Sequence, residues 1–110
     1  MNDEEKNIIQ QIEAALTGVK WNNEDHDGTL FFFPTSTPGA KGVLRAGDRH
    51  VNFKTRLEYQ VFLKGSVPYL GIIDNRKSEI FEYKIEKLSK PLRMLTIIDQ
   101  TGNKSNFKYY

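Results

Sequence analysis

A chain of 110 residues with 38% hydrophobic content and 13 aromatic side chains has room for one domain and reads as a folded globule rather than a disordered chain. It contains no cysteine, which excludes disulfides, thiolate metal sites and cysteine nucleophiles. The net charge of +2 conceals an acidic front and a basic remainder: seven acids against two bases over residues 1–27, then fourteen bases against seven acids over residues 28–110.

Asn2-Asp3-Glu4-Glu5 opens a helix, because Asn2 and Asp3 can cap free amides, Glu5 completes a capping-box spacing, and the acids suit the positive helix end. Ile8, Ile9, Ile12, Ala15, Leu16 and Val19 recur every three or four residues as one apolar stripe, and Gly18 is a stop signal. The spacing predicts a helix over residues 2–17, covering a sheet that spans roughly 30–110.

Trp21 to Thr29 reads as an acidic loop, and Leu30-Phe31-Phe32-Phe33 as a short buried strand ended by Pro34. Thr35 to Gly42 is the longest breaker-rich stretch and is expected to be the most mobile loop. Val43–Ala46 and Arg49–Phe53 flank Gly47-Asp48, where glycine at the first central position favours a type II′ hairpin turn. Leu57, Tyr59, Val61 and Leu63 alternate with Glu58, Gln60, Phe62 and Lys64, which predicts a strand; a helix over 56–64 would scatter the apolar residues.

The central feature is a hairpin. Tyr69–Ile73 is an uninterrupted apolar run suited to a strand covered on both faces, Asp74–Ser78 forms a turn, and Phe81, Tyr83 and Ile85 alternate with charged neighbours beyond it. Leu92 to Ile98 reads as a central strand, Thr101–Lys104 as a turn, and Ser105–Tyr110 as an edge strand carrying lysines. The predicted class is α+β, one domain over 1–110, with an N-terminal helix packed on a mostly antiparallel, meander-like curved sheet or partial barrel of about six to seven strands.

Three constellations bear on chemistry. Asn23-x-Asp25-x-Asp27-Gly28-Thr29-Leu30 resembles the first eight positions of an EF-hand calcium loop, but Pro34 stands where that family needs a bidentate Glu, so no metal site is assigned. Asp74, Glu82 and Lys84 resemble the carboxylate and Glu-x-Lys spacing of PD-(D/E)xK nucleases; a four-residue hairpin loop would put Asp74 on the face opposite Glu82 and Lys84. Tyr69-Leu70 followed by Phe81-x-x-x-Ile85 resembles the strand pair of WYL-type ligand-sensing domains over some twenty residues, and transfers no site.

The third constellation is Arg45, His50, Asn52 and Lys54. Pairing across a Gly47-Asp48 turn would put Arg45 opposite His50 and Val43 opposite Asn52, with Leu44, Val51 and Phe53 on the core face. From Lys41 to Lys64 only Asp48 and Glu58 oppose six bases. The sequence therefore predicts a small non-catalytic binding module, of inhibitor, immunity or adaptor type, engaging an acidic partner through this basic face. A protein partner is expected; the alternative is a nucleic-acid-binding protein or small nuclease using the same face or the Asp74/Glu82/Lys84 hairpin. No cofactor motif is present. The absence of a leader pattern and of a membrane-length apolar run sets the expectation of a cytoplasmic protein.

Overall fold

The computed structural model describes residues 2–48 and 55–110. Helix α1 (Asp3–Leu16) is followed by strands β1 (Lys20–Asn23), β2 (Gly28–Phe32), β3 (Gly42–Asp48), β4 (Thr55–Lys64), β5 (Val67–Asp74), β6 (Glu79–Ser89), β7 (Met94–Ile98) and β8 (Lys104–Lys108). Each strand pairs antiparallel with the next, and β8 returns to pair with β1, so the meander closes into an eight-stranded barrel.

The helix begins and ends as its sequence dictates. Asn2 Oδ1 accepts from the Glu5 amide at 2.8 Å, and the acidic first turn faces the positive end of the helix dipole. Thr17 leaves the helix in an extended conformation and Gly18 follows at φ +81°, a backbone angle that suits glycine. The last turn of α1 holds no basic residue; instead Lys90 Nζ reaches from the β6–β7 turn to the carbonyls of Ala14, at 2.9 Å, and Thr17, at 3.0 Å. Leu16 and Ile9 are buried and Ile12 is half-buried against the barrel, whereas Ile8 lies largely on the exposed side.

Inside the barrel the side chains alternate along each strand, interrupted once in β6. Trp21, Phe32, Leu44, Tyr59, Val61 and Leu70 fill the end that α1 closes, each with no exposed surface. Pairing registers carry Leu30, Ala46, Ile72, Tyr83, Ile97 and Ser105 onto the same inner face. A bulge between Ile85 and Lys87 changes the phase of β6, so that Leu88 as well as Ile85 packs inward.

The structure corrects the sequence expectations at four places. Residues 20–23 form β1 rather than loop, because the seam with β8 supplies ladder partners and Asn22 Nδ2 donates to the Lys20 and Lys108 carbonyls. Gly47-Asp48 is strand rather than turn, because β3 runs on to pair Gly47 with Thr29 and Asp48 with Gly28. Leu92 and Arg93 belong to a turn, in which Arg93 donates its amide to the Lys90 carbonyl at φ +56°, so β7 starts at Met94. The last strand is not an edge: β8 has neighbours on both sides. Counting β1 and the closure, the sheet has eight strands and no open side, where six or seven in a partial barrel were expected.

The Thr35–Lys41 loop is tied to the core on both flanks. Gly39 donates its amide to Glu13 Oε2 at 3.4 Å, and Gln60 Nε2 donates to the Gly39 carbonyl at 2.7 Å. Glu13 is 7% exposed, and burial pushes its carboxyl above the ordinary range against the opposing pull of the Gly39 and Thr35 hydrogen bonds. Its neighbour Tyr59 donates its hydroxyl to the Phe33 carbonyl at 2.6 Å; burial, then the Glu13 charge, pushes that phenol up to about 12.

Two outcomes follow from the helix seat. Leu16→Ala lowers stability by about 2–5 kcal/mol, the transfer and cavity loss of a fully buried leucine, read as a lower denaturant midpoint. A folded-state pKa raised above the unfolded value favours the protonated protein, so Glu13 lowers stability as pH rises from about 4.5 through its elevated folded value. Glu13→Gln removes this decline, and denaturation at pH 4 and pH 7 reads the difference.

Candidate functional site

Arg45 follows the inward Leu44 on β3 and so stands on the outer face of the barrel. Its cross-strand neighbours are Phe31 on β2 and Arg56 on β4, and Lys20 on β1 lies opposite Phe31. One row across four strands therefore reads Lys20, Phe31, Arg45, Arg56. The expected partner of Arg45, His50, is replaced by Arg56 because β3 passes straight through Gly47-Asp48. His50, Asn52 and Lys54 lie outside the described residues.

Beside this row Phe33 is 42% exposed and its ring lies 4.9 Å from that of Phe31. The next row toward the helix holds Val43 opposite Glu58, whose carboxylate accepts from the Asn75 amide. Lys108, opposite Asn22, adds a further cation to the same face. Arg45 and Arg56 make no ion pair with any acid among the described residues. The contribution of Lys20 and Arg56 escapes sequence reading, since only the register between β1, β2, β3 and β4 brings them into line with Arg45.

The remaining constellations are engaged elsewhere. Asp74 pairs with Glu79 in the hairpin ladder and Glu82 with Gly71, so the two carboxylates face opposite sides of β5 and β6. Asp74 holds Arg76 at 3.4 Å, and the Arg76 guanidinium and amide keep its carboxyl below the usual range. Glu82 is paired with Lys64 at 2.7 Å, and Lys64 also lies 4.6 Å from the centre of the Tyr69 ring. In the Asn23–Leu30 loop, Asn23 Oδ1 accepts from the amides of Asp25 at 2.8 Å and His26 at 3.2 Å, which consumes the first oxygen a calcium ion would need. Among the described residues no three His, Cys, Asp or Glu side chains converge to hold a metal ion.

Two concavities accompany these faces. A broad groove of about 670 Å³ crosses the outside of β4, β5 and β6 over Gly71, walled by Phe62, Ile73 and the 66% exposed Ile80. A smaller cavity of about 280 Å³ opens inside the barrel at the end away from α1. Its signal in the sequence is the small size of Gly28, Ala46 and Ser105 at inward positions. No described helix is long and apolar enough to cross a membrane.

No family model, curated protein or solved structure matches this chain.

The geometry of the β1–β2 loop predicts that it takes up no calcium at micromolar concentration, because Asn23 is spent on the backbone and position twelve is Pro34. A calorimetric titration with calcium checks this, with heats at the level of buffer dilution as the expected result.

Proposed function

We propose that the protein is a non-catalytic binding module that holds an acidic partner on the outer face of β1–β4. The observation that carries this reading is the juxtaposition of Arg45 with Arg56. Like charges directly opposite on adjacent strands destabilise a sheet, and among the described residues neither arginine has an acid within ion-pair distance, the nearest row holding Glu58; an anionic ligand relieves the repulsion on binding.

The interleaved rings favour one acidic partner over others. Single-stranded nucleic acid offers phosphates to Lys20, Arg45 and Arg56 and bases to exposed phenyl faces such as Phe33, the combination used where recognition tolerates sequence. An acidic protein surface supplies the charge and can also bury the rings, so the two partners are separated by the ring-dependence of binding rather than by the rings' presence. The split of Asp74 from Glu82 withholds support from the nuclease alternative at the hairpin, and the reading is accordingly one of binding without cleavage.

The test is fluorescence anisotropy of a labelled thymidine oligonucleotide, with polyglutamate as the competing polyanion. Changing Lys20, Arg45 and Arg56 together to Ala is expected to weaken oligonucleotide binding and flatten its log–log salt dependence by roughly two units, at about 0.7 per lost single-strand phosphate contact. The thermal midpoint stays level or rises, because exposed charges contribute less than about 1 kcal/mol and a repulsive pair has gone. Phe33→Ala weakens the oligonucleotide and leaves polyglutamate unchanged. Equal oligonucleotide affinity of wild type and triple variant at two salt concentrations would overturn the reading.

A further inference from the structure

Eight-stranded barrels have interiors that side chains just fill or that leave room for one small ligand, and this barrel does one at each end. Near α1 the inner positions carry Trp21, Phe32, Leu44 and Tyr59, all fully buried. Toward the opposite end β2, β3 and β8 carry Gly28, Ala46 and Ser105, and the volume they give up is the cavity of about 280 Å³. Gly28 belongs to this economy for a second reason. The His26 ring lies over it so closely that a Cβ there would stand 2.4 Å from His26 Cε1, and the Gly28 amide donates to His26 Nδ1 at 2.8 Å.

The wall chemistry defines the occupant. Leu30, Ile72, Ile97 and Phe107 supply an apolar lining, with Tyr83, Ser105 and His26 as hydrogen-bonding groups among them. Because His26 Nδ1 accepts a hydrogen bond, the neutral ring carries its proton on Nε2, leaving that N–H as a donor at the rim. Among the described residues no Lys, Arg, Asp or Glu lines the cavity. With no charged side chain among the described lining residues, an uncharged ligand loses less on entering than a charged one, although the Asp99 carboxylate acts on the Tyr83 phenol from nearby. The one buried side-chain polar atom without a partner among the described residues, Thr29 Oγ1, belongs to a residue bordering the same space.

We infer that the mouth of the barrel is a binding site for a small uncharged aromatic molecule bearing one hydrogen-bonding group, of the phenol or indole class. The size agrees: an apolar cavity of about 150 Å³ admits benzene, so roughly twice that volume holds one substituted ring or a fused pair. The site is independent of the basic outer face, from which the barrel wall separates it, and its occupant need not be the partner held there.

The experiment is an amide chemical-shift titration of the full chain with phenol, run beside benzoate and benzylamine as charged analogues of similar size. Phenol is expected to give saturable shifts centred on Ala46, Ile72, Ile97 and Ser105, and the charged analogues none. Two substitutions fill the space from different strands: Ala46→Leu on β3 and Ser105→Val on β8. Each is expected to abolish the phenol shifts while holding or raising the thermal midpoint, the behaviour of a filled cavity rather than a damaged core. Absence of saturable shifts up to about 10 mM phenol, beyond the weakest affinity a fitted ligand of this size would show, overturns the inference. Saturation that persists in whichever filled variant folds, or equal binding of benzoate or benzylamine, overturns it as well.

Discussion

Trp21 joins three parts of the molecule that no local sequence pattern connects. Its indole N–H donates to the Leu16 carbonyl at 2.9 Å, taking up a backbone acceptor that the helix end leaves free. The ring is wholly buried among the side chains that fill the barrel and meets Tyr109 edge-on, with centroids 5.1 Å apart. Tyr109 in turn donates its hydroxyl to the Lys90 carbonyl, and Lys90 caps the helix carbonyls. The plug, the seam strand and the chain's last residues thus share one hydrogen-bonded aromatic cluster.

That closure decides what the surface can do. A plugged end frees the opposite end to be loosely packed, since the core at the helix end already buries the large side chains. A closed ladder frees the outer face from covering duties. Charged and aromatic side chains can then stand beside one another on β1–β4 without a helix or second sheet over them. The two acids on the outer face of β6 are each matched by a lysine from another strand: Glu82 by Lys64 of β4, and Glu86 by Lys104 of β8 at 3.0 Å.

The legible parts of the fold were those determined by neighbours in the chain. Helix α1 showed in its cap and stripe, β4 in its alternation, and the β5–β6 hairpin in a turn whose four-residue loop matches the Asp74–Glu79 pairing. Illegible were features created by distant pairing. Lys20-Trp21-Asn22-Asn23 has no apolar alternation and becomes a strand because both β2 and β8 offer it partners. Gly47-Asp48 carries a strong local turn signal that the ladder with β2 overrides. The same holds for the candidate site: Arg45 could be singled out as an outward cation, but Arg56 and Lys20 join it only through register. The interior cavity was legible in principle, since glycine, alanine and serine sit at inward positions, but recognising them as inward required knowing that the sheet closes.

The seam between β1 and β8 is also a statement about time. Every other ladder joins strands adjacent in the chain, separated by a short connection, and such contacts form early because little loop entropy opposes them. The seam joins Asn22 to Lys108, 86 residues away, through the side-chain hydrogen bond and two ladder pairs. Until the C-terminus is available, β1 and β7 each present an unpaired row of backbone groups, and the chain is an open ribbon able to recruit a strand from elsewhere. Protection from that fate arrives with the last strand, so a nascent or truncated chain is sticky in a way the finished barrel is not.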